Sequence, residues 1–494
     1  MSEQYILGID QSTQGTKAVL LNHKGAIVCR TDLLHRQIIN DKGWVSHDGD
    51  EIYKNVIQLI PKLLEKAQVS KEAIAGVGIS NQRETTILWD KPTGKPLSTA
   101  VVWQCARAQE ITERLKELGY GSRILRKTGL PLSPYFPAAK MSWLISNVLK
   151  KEQFYKDYCI GTMDSYLVYR LTGGKVYKTD CSNASRTQLM NLKTLNWDEE
   201  ICSLFQVDKD RLPEITDSDG DYGVTDFEGY LNHPVPIRSI MGDSHGALYA
   251  QCCYEHGMVK ATYGTGSSIM MNVGDTPIFS RNGLASSVAW RISGKVNYVL
   301  EGNLNYSGAV ITWLKDDVKL IASPKETEEL AWGANPKDST YFVPAFSGLG
   351  APYWDSKAKA GFCGMTRITG RNEMVKAVLD SIAYQINDVV RAMEEDAGIP
   401  VQEVRVDGGP TGNKYLMQFQ ADILGKTIRI PQVEELSVLG CSYLAGVTLG
   451  VFRSGCLSDN ITYEGYQPEL AESAREQKIN GWLEAVGRNR SNTH

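Results

Sequence analysis

No apolar run in this 494-residue chain approaches the length that crosses a bilayer, and no membrane insertion is expected. The opening Met1-Ser-Glu-Gln has neither the basic start nor the apolar segment of a secretory leader, so none is expected. The ten cysteines form no CxxC pair and no zinc-like spacing. They read as small packing residues, the adjacent Cys252-Cys253 included, and fit a reducing cytoplasmic setting. An excess of positive charge is also missing. The net charge of -4 argues against a nucleic-acid partner, which would require a basic patch. There is no low-complexity tract, no long linker and no charge block. What remains is an ordinary globular composition, 42% hydrophobic and 22% charged, over a length that exceeds one core and predicts two domains.

One phosphate-binding pattern occurs twice. Tyr5-Ile-Leu-Gly-Ile-Asp10 leads through Gln11-Ser-Thr-Gln-Gly15 into Thr16-Lys-Ala-Val-Leu-Leu21, and Val259-Lys-Ala-Thr-Tyr263 leads through Gly264-Thr-Gly-Ser-Ser268 into Ile269-Met-Met-Asn272. Each reads as a strand, a tight polar turn and a returning strand. Free backbone N–H groups and short hydroxyls at such turns suit phosphate oxygens, and two facing turns could hold one triphosphate tail. Elsewhere strand-like runs alternate with amphipathic stretches, the pattern of an α/β fold. Helices are predicted over Ile52 to Ala67 and Met374 to Ala397, a strand over Ile74 to Ile79, and in Val404-Arg-Val-Asp-Gly-Gly409 a strand running into a Gly turn. The hinge is expected near residue 250, dividing the chain into 1–250 and 251–494.

Several residues could carry chemistry, and each has a plainer reading. Asp10 ends the first strand beside the phosphate turn, where a carboxylate suits Mg²⁺ or simply caps the turn. Lys17 could neutralise phosphate or lie on the surface. Asp243, ending Ile240-Met-Gly-Asp243, is at a strand end where ligands collect, a candidate general base. On position alone, capping the following helix is preferred. His245 reads as a packed imidazole. Arg83-Glu84 could bind hydroxyls together, one donating and the other accepting, or form a surface pair. Trp103 could wall a carbon chain or fill a core. Asp407-Gly408-Gly409 with Asn413 could let the backbone approach an adenosine or be a bare turn.

A further set of segments runs almost the whole length: Gly43-Trp-Val-Ser-His-Asp48, Ser80-Asn-Gln-Arg-Glu-Thr-Thr86, Val102-Trp-Gln104, Tyr135-Phe-Pro-Ala-Ala-Lys140, Asn183-Ala-Ser-Arg-Thr187, Thr262-Tyr-Gly-Thr-Gly266, Pro344-Ala-Phe-Ser-Gly-Leu-Gly-Ala-Pro-Tyr-Trp-Asp355 and Leu416-Met-Gln-Phe-Gln-Ala-Asp422. In these the chain resembles the FGGY carbohydrate kinases and, among them, the glycerol kinase branch. The resemblance implies two actin- and hexokinase-like (ribonuclease H-like) α/β domains closing over ATP and a small polyol or sugar. It implies Asp243 as the catalytic base, reversing the preference for a cap. It implies nucleotide contacts at Ser12, Thr13, Gln14, Lys17, Thr265, Gly308, Thr312, Gly409 and Asn413, and Mg²⁺ at Asp10. It implies acceptor contacts at Arg83, Glu84, Trp103 and Tyr135, and a homo-oligomer.

Three departures from that pattern stand out. Ser244 follows the base where the branch carries Gln, and Ser268 stands where it carries Phe. Both shrink the side chains around the acceptor, so a longer polyol or ketopentose is an alternative to glycerol. Phe227-Glu-Gly-Tyr-Leu-Asn-His-Pro-Val235 lacks the glycines and arginine of a fructose 1,6-bisphosphate loop, so that feedback is not expected, and His233 reads as an exposed loop residue. An actin- or chaperone-like ATPase shares the doubled hairpin but does not need the polar pocket.

Overall fold

The computed structural model describes residues 3–149 and 157–491. Two mixed sheets dominate, and they repeat one topology. In the first, strands run in the order Val224–Thr225, Val235–Gly242, Ile74–Asn81, Tyr5–Gln11, Gly15–Leu21, Ile27–Leu34. Tyr5–Gln11 pairs antiparallel with Gly15–Leu21 and parallel with Ile74–Asn81, which is parallel to Val235–Gly242. In the second, Val259–Tyr263 pairs antiparallel with Ser267–Gly274 and parallel with Glu403–Asp407, which is parallel to Thr427–Pro431. Both expected hairpins are therefore formed, each at the centre of its sheet. This is the two-domain α/β fold that the doubled pattern implied.

Helices cover these sheets as the apolar spacing requires. Gly49–Ala67 starts three residues before its predicted first residue because Asp48 caps it, accepting from the N–H groups of Asp50 and Glu51. Its buried stripe is Ile52, Val56, Leu59, Ile60, Leu63 and Leu64. The long helix Arg371–Ala397 also starts three residues early, where Glu373 turns back to the Gly370 N–H.

One helix crosses between the halves. Leu436–Thr448 leaves the second half and packs under the first sheet beside Asp243–Ala250. The approach is close enough to exclude side chains: a Cβ on Gly440 would lie 2.0 Å from the Gly246 carbonyl oxygen, and one on Gly78 2.6 Å from that of Cys441. Leu436, Val438 and Leu439 share a core with Ile6, Val19 and Leu21. All ten cysteines are free thiols, seven of them buried. No described helix is long and apolar enough to cross a membrane.

Candidate active site

Register decides what meets at the first sheet's edge. Asp10 is aligned with Ser80, Ser80 with Met241, and Asn81 with Gly242. The carboxyl ends of three parallel strands therefore finish level, bringing together Asp10, the turn at Arg83 and Asp243. The short helix Cys181–Ser185 fixes two of these ends. Asn183 and Asn81 exchange amide hydrogen bonds at 2.9 Å each way, and the Gly242 N–H donates to Ser182 Oγ at 3.0 Å.

Asp243 opens the helix Asp243–Ala250, with Gly242 as the capping residue. Its carboxylate accepts from Arg83 Nε at 3.1 Å and from the Ser244 N–H at 2.6 Å, and its side chain is 37% exposed. Arg83 itself is buried. Its two terminal nitrogens donate to both oxygens of Glu301, at 2.9 and 2.8 Å. Arg186 donates to Glu84 at 2.7 Å and forms an ion pair with Glu301 at 2.8 Å. Two guanidiniums are thus balanced by two carboxylates in a nearly dry place. Burial works against charge on both guanidiniums and on Glu301; Arg186 and Arg83 nonetheless hold the Glu301 carboxyl well below the usual range, and Glu301 and Glu84 keep Arg83 protonated.

Around this network lie the other expected acceptor residues. Glu84 is in the left-handed region, at φ 62, so the turn that presents it is strained. Trp103 stacks edge-on against Tyr135 at 5.6 Å, and its indole N–H donates to Thr13 Oγ1 at 2.9 Å, tying the first hairpin to this wall. Ser268 Oγ donates to Glu301 Oε1 at 3.2 Å. Lys140 is fully buried, its ammonium donating to the carbonyls of Glu84 and Tyr135; burial pushes it down to about 7, partly opposed by Glu84. His245 is also fully buried beside this cluster, and burial with the Arg83 charge keeps its ring neutral.

At Asp10 burial raises the carboxyl to about 6, partly offset by Ser80, with the Asp243 charge adding to the rise. Its Oδ1 is buried and meets no hydrogen-bond partner among the described residues. Those residues contain no cluster of three or more acidic, His or Cys side chains suited to a metal. One orphaned carboxylate oxygen fits Mg²⁺, which keeps most of its waters and takes one or two protein carboxylates.

The second half supplies a cavity of about 890 Å³. Four expected nucleotide residues line it, namely Gly308, Thr312, Gly409 and Asn413, with Trp332 on the wall. Gly408 forms the turn beside it at φ 103, where a Cβ would lie 2.0 Å from the Tyr263 carbonyl oxygen. The Thr265 carbonyl accepts from the N–H groups of Ser307 and Ala309, joining the second hairpin to this cavity. Other expected residues make local contacts: Ser12 Oγ donates to the Gly15 carbonyl, and the Gln14 carbonyl accepts from the His35 N–H. Lys17 Nζ is held by Glu435 at 2.8 Å rather than standing free at the turn. The stretch Phe227 to Val235 folds as a compact turn with Phe227 and Leu231 buried.

Sequence reasoning missed Arg186, Glu301 and Lys140 as site residues. A carboxylate inside the apolar run Val299-Leu-Glu-Gly302 was the available signal for Glu301, while Arg186 and Lys140 lie in the family-like segments Asn183-Ala-Ser-Arg-Thr187 and Tyr135-Phe-Pro-Ala-Ala-Lys140, without having been given a role.

The sequence pattern of the FGGY family of carbohydrate kinases matches twice, as its N-terminal domain over residues 5–249 and its C-terminal domain over residues 259–449. The chain is 42% identical over 495 residues to a glycerol kinase of Oceanobacillus iheyensis, covering 99% of each chain. It is 43% identical over 486 residues to glycerol kinase 1 of Thermotoga maritima, covering 98% of this chain and 99% of that one. The crystal structure of Plasmodium falciparum glycerol kinase with ADP superposes with a TM-score of 0.92 at 35% identity, covering 99% of this chain and 98% of that one.

Proposed function

The chain belongs to the FGGY family of carbohydrate kinases, and from that premise we propose roles for its site residues. It is an ATP-dependent kinase of the glycerol kinase type. In the proposed complex the phosphates of ATP lie between the turns Gln11–Gly15 and Gly264–Ser268, near Ser12, Thr13, Gln14 and Thr265. The adenosine occupies the cavity at Gly308, Thr312, Gly409 and Asn413. The acceptor, glycerol or a related polyol, lies against Trp103 with its hydroxyls held by Arg83, Glu84 and Tyr135, and with Ser244 and Ser268 at its border.

Asp243 takes the proton of a terminal hydroxyl. That oxygen bonds to the γ-phosphorus as the bond to the bridging oxygen breaks, and ADP leaves with the electron pair. Arg83 orients the Asp243 carboxylate while Glu301 absorbs the rest of its charge, so the base keeps its geometry without being smothered by a free cation. A magnesium ion held by Asp10 would supply charge neutralisation on the phosphate tail. Lys17 reaches the tail only by leaving Glu435. Closure of 1–250 against 251–494, about a hinge near residue 250, would exclude water and limit ATP hydrolysis. A cytoplasmic homo-oligomer without a nucleic-acid partner completes the reading, as the family resemblance and the mild negative charge suggest.

The observation that carries these roles is the partly exposed Asp243 carboxylate, level with Asp10 and gripped by a guanidinium that Glu301 holds from its far side. ADP release by Mg²⁺–ATP with and without polyols tests it. Acceptor-dependent release in the parent and its loss in Asp243→Ala, with nucleotide affinity kept, are expected. Undiminished acceptor-dependent release in Asp243→Ala would remove the base assignment.

A further inference from the structure

The paired strands Ser267–Gly274 and Lys295–Leu304 turn one face to their own helices and the other toward the first half of the chain. Gly302 faces inward, since a Cβ there would meet Val389 of the long helix at 2.4 Å, and Ile269 lies in the same core. Alternation along each strand then sets Ser268 and Met270, with Glu301 and Asn303, on the opposite face. Met270 confirms the direction by packing with Met241 and Leu248 of the first half.

On that face the polar groups form a row. Asp243 accepts from Arg83, Arg83 donates to Glu301, and Glu301 accepts from Ser268. Ser268 stands directly opposite Asn303 in the ladder, which brings their Cβ atoms to about 5 Å. The row therefore continues one residue past the last charged group. Asn303 is partly exposed, and no described residue hydrogen-bonds its carboxamide. The Asn303 carboxamide keeps two donors and an acceptor, and the Ser268 hydroxyl keeps its lone pairs after donating to Glu301.

A three-carbon acceptor is already matched by Arg83, Glu84, Tyr135 and Asp243, and it leaves the far end of the row unused. An unpartnered carboxamide and a hydroxyl with open lone pairs, at a site that loses water on closure, favour an acceptor that brings hydroxyls to them. We infer that Ser268 and Asn303 read hydroxyl groups beyond the third carbon, so the preferred acceptor is a four- or five-carbon polyol or open-chain ketose. The inference rests on the kinase roles proposed above. The transfer itself is unchanged: the terminal oxygen gains the phosphoryl group, its proton goes to Asp243, and ADP is the leaving group.

The test is ADP release by the purified full chain with Mg²⁺–ATP, across glycerol, erythritol, threitol, xylitol, xylulose and ribulose. The parent should favour one of the longer compounds over glycerol by about tenfold or more in kcat/KM. Asn303→Ala and Ser268→Leu should each cut that preference ratio by about tenfold, through KM more than kcat, and Ser268→Thr should restore it. Asn303→Ala, at a partly exposed position, stands in if Ser268→Leu does not fold. A parent that prefers glycerol, or variants that lower every acceptor by the same factor, would overturn the inference while leaving the kinase intact. No acceptor-dependent release with any of the six would instead overturn the proposed function itself.

Discussion

Asp243 and Glu301 are two carboxylates with opposite burdens. Asp243 is partly open and accepts from Arg83 and the Ser244 N–H, whereas Glu301 is wholly buried and committed to two guanidiniums. Replacing Asp243 by Ala should lower kcat by about 10²- to 10⁴-fold, the usual share of a positioned base, with little change in ADP affinity by calorimetry. Glu301→Gln should act differently. It strands buried positive charge on Arg83 and Arg186, a loss of about 3–5 kcal/mol. Its melting temperature should fall steeply, and a variant as stable as the parent would mean that water enters the network. Asp243 could be named a candidate from sequence because a strand end before a helix is a local pattern, but position alone favoured a cap and the family resemblance was needed to favour the base. Glu301 stands out in sequence only as a carboxylate in an apolar run, because its role comes from partners 218 and 115 residues away.

Among the elements, the strands and helices were largely legible. Both hairpins, the 49–67 stripe and the long helix follow from apolar spacing; the two helices start early, where a cap or a turned-back Glu extended them, and the strand Ser267–Gly274 outruns its expected span at both ends. How elements are fastened was less visible. Asp388 of the long helix accepts from Tyr353 at 2.8 Å and from Trp482 of the C-terminal helix Glu472–Asn489 at 2.8 Å. Burial raises its carboxyl to about 7, partly offset by those two donors. A raised folded value means the native protein holds this proton more tightly than the unfolded chain. The stability from Asp388 is therefore full below about pH 4 and lost as pH rises through about 7. Asp388→Asn keeps an acceptor and loses the charge. Its melting temperature relative to the parent should climb between about pH 4 and 7 and level off above that, and parallel curves would refute a protonated Asp388. The crossing of Asp243–Ala250 and Leu436–Thr448 makes a second prediction. Gly440→Ala forces a Cβ against the Gly246 carbonyl and should cost at least about 1–3 kcal/mol in denaturant unfolding, while Gly450→Ser, with no atom within 4 Å of its Cβ, tests only the left-handed turn.

At the scale of the whole molecule, the two halves are fastened by more than the chain that joins them. Ile6, Val19 and Leu21 are covered by Leu436, Val438 and Leu439 from the far end of the sequence. A fragment of residues 1–250 would expose that apolar face, so it should aggregate or bind a hydrophobic dye when expressed alone. A monodisperse, dye-silent fragment would contradict this. The sequence by itself determined the doubled strand–turn–strand pattern, the α/β class and the kinds of side chain at each strand end, because those depend on spacings of two and 3.6 residues and on turn chemistry. Only the tertiary structure decided which charges neutralise one another, which helix covers which sheet, and which face of Ser268 and Asn303 meets the cleft. Those depend on strand register and on contacts between segments hundreds of residues apart, for which local spacing carries no information.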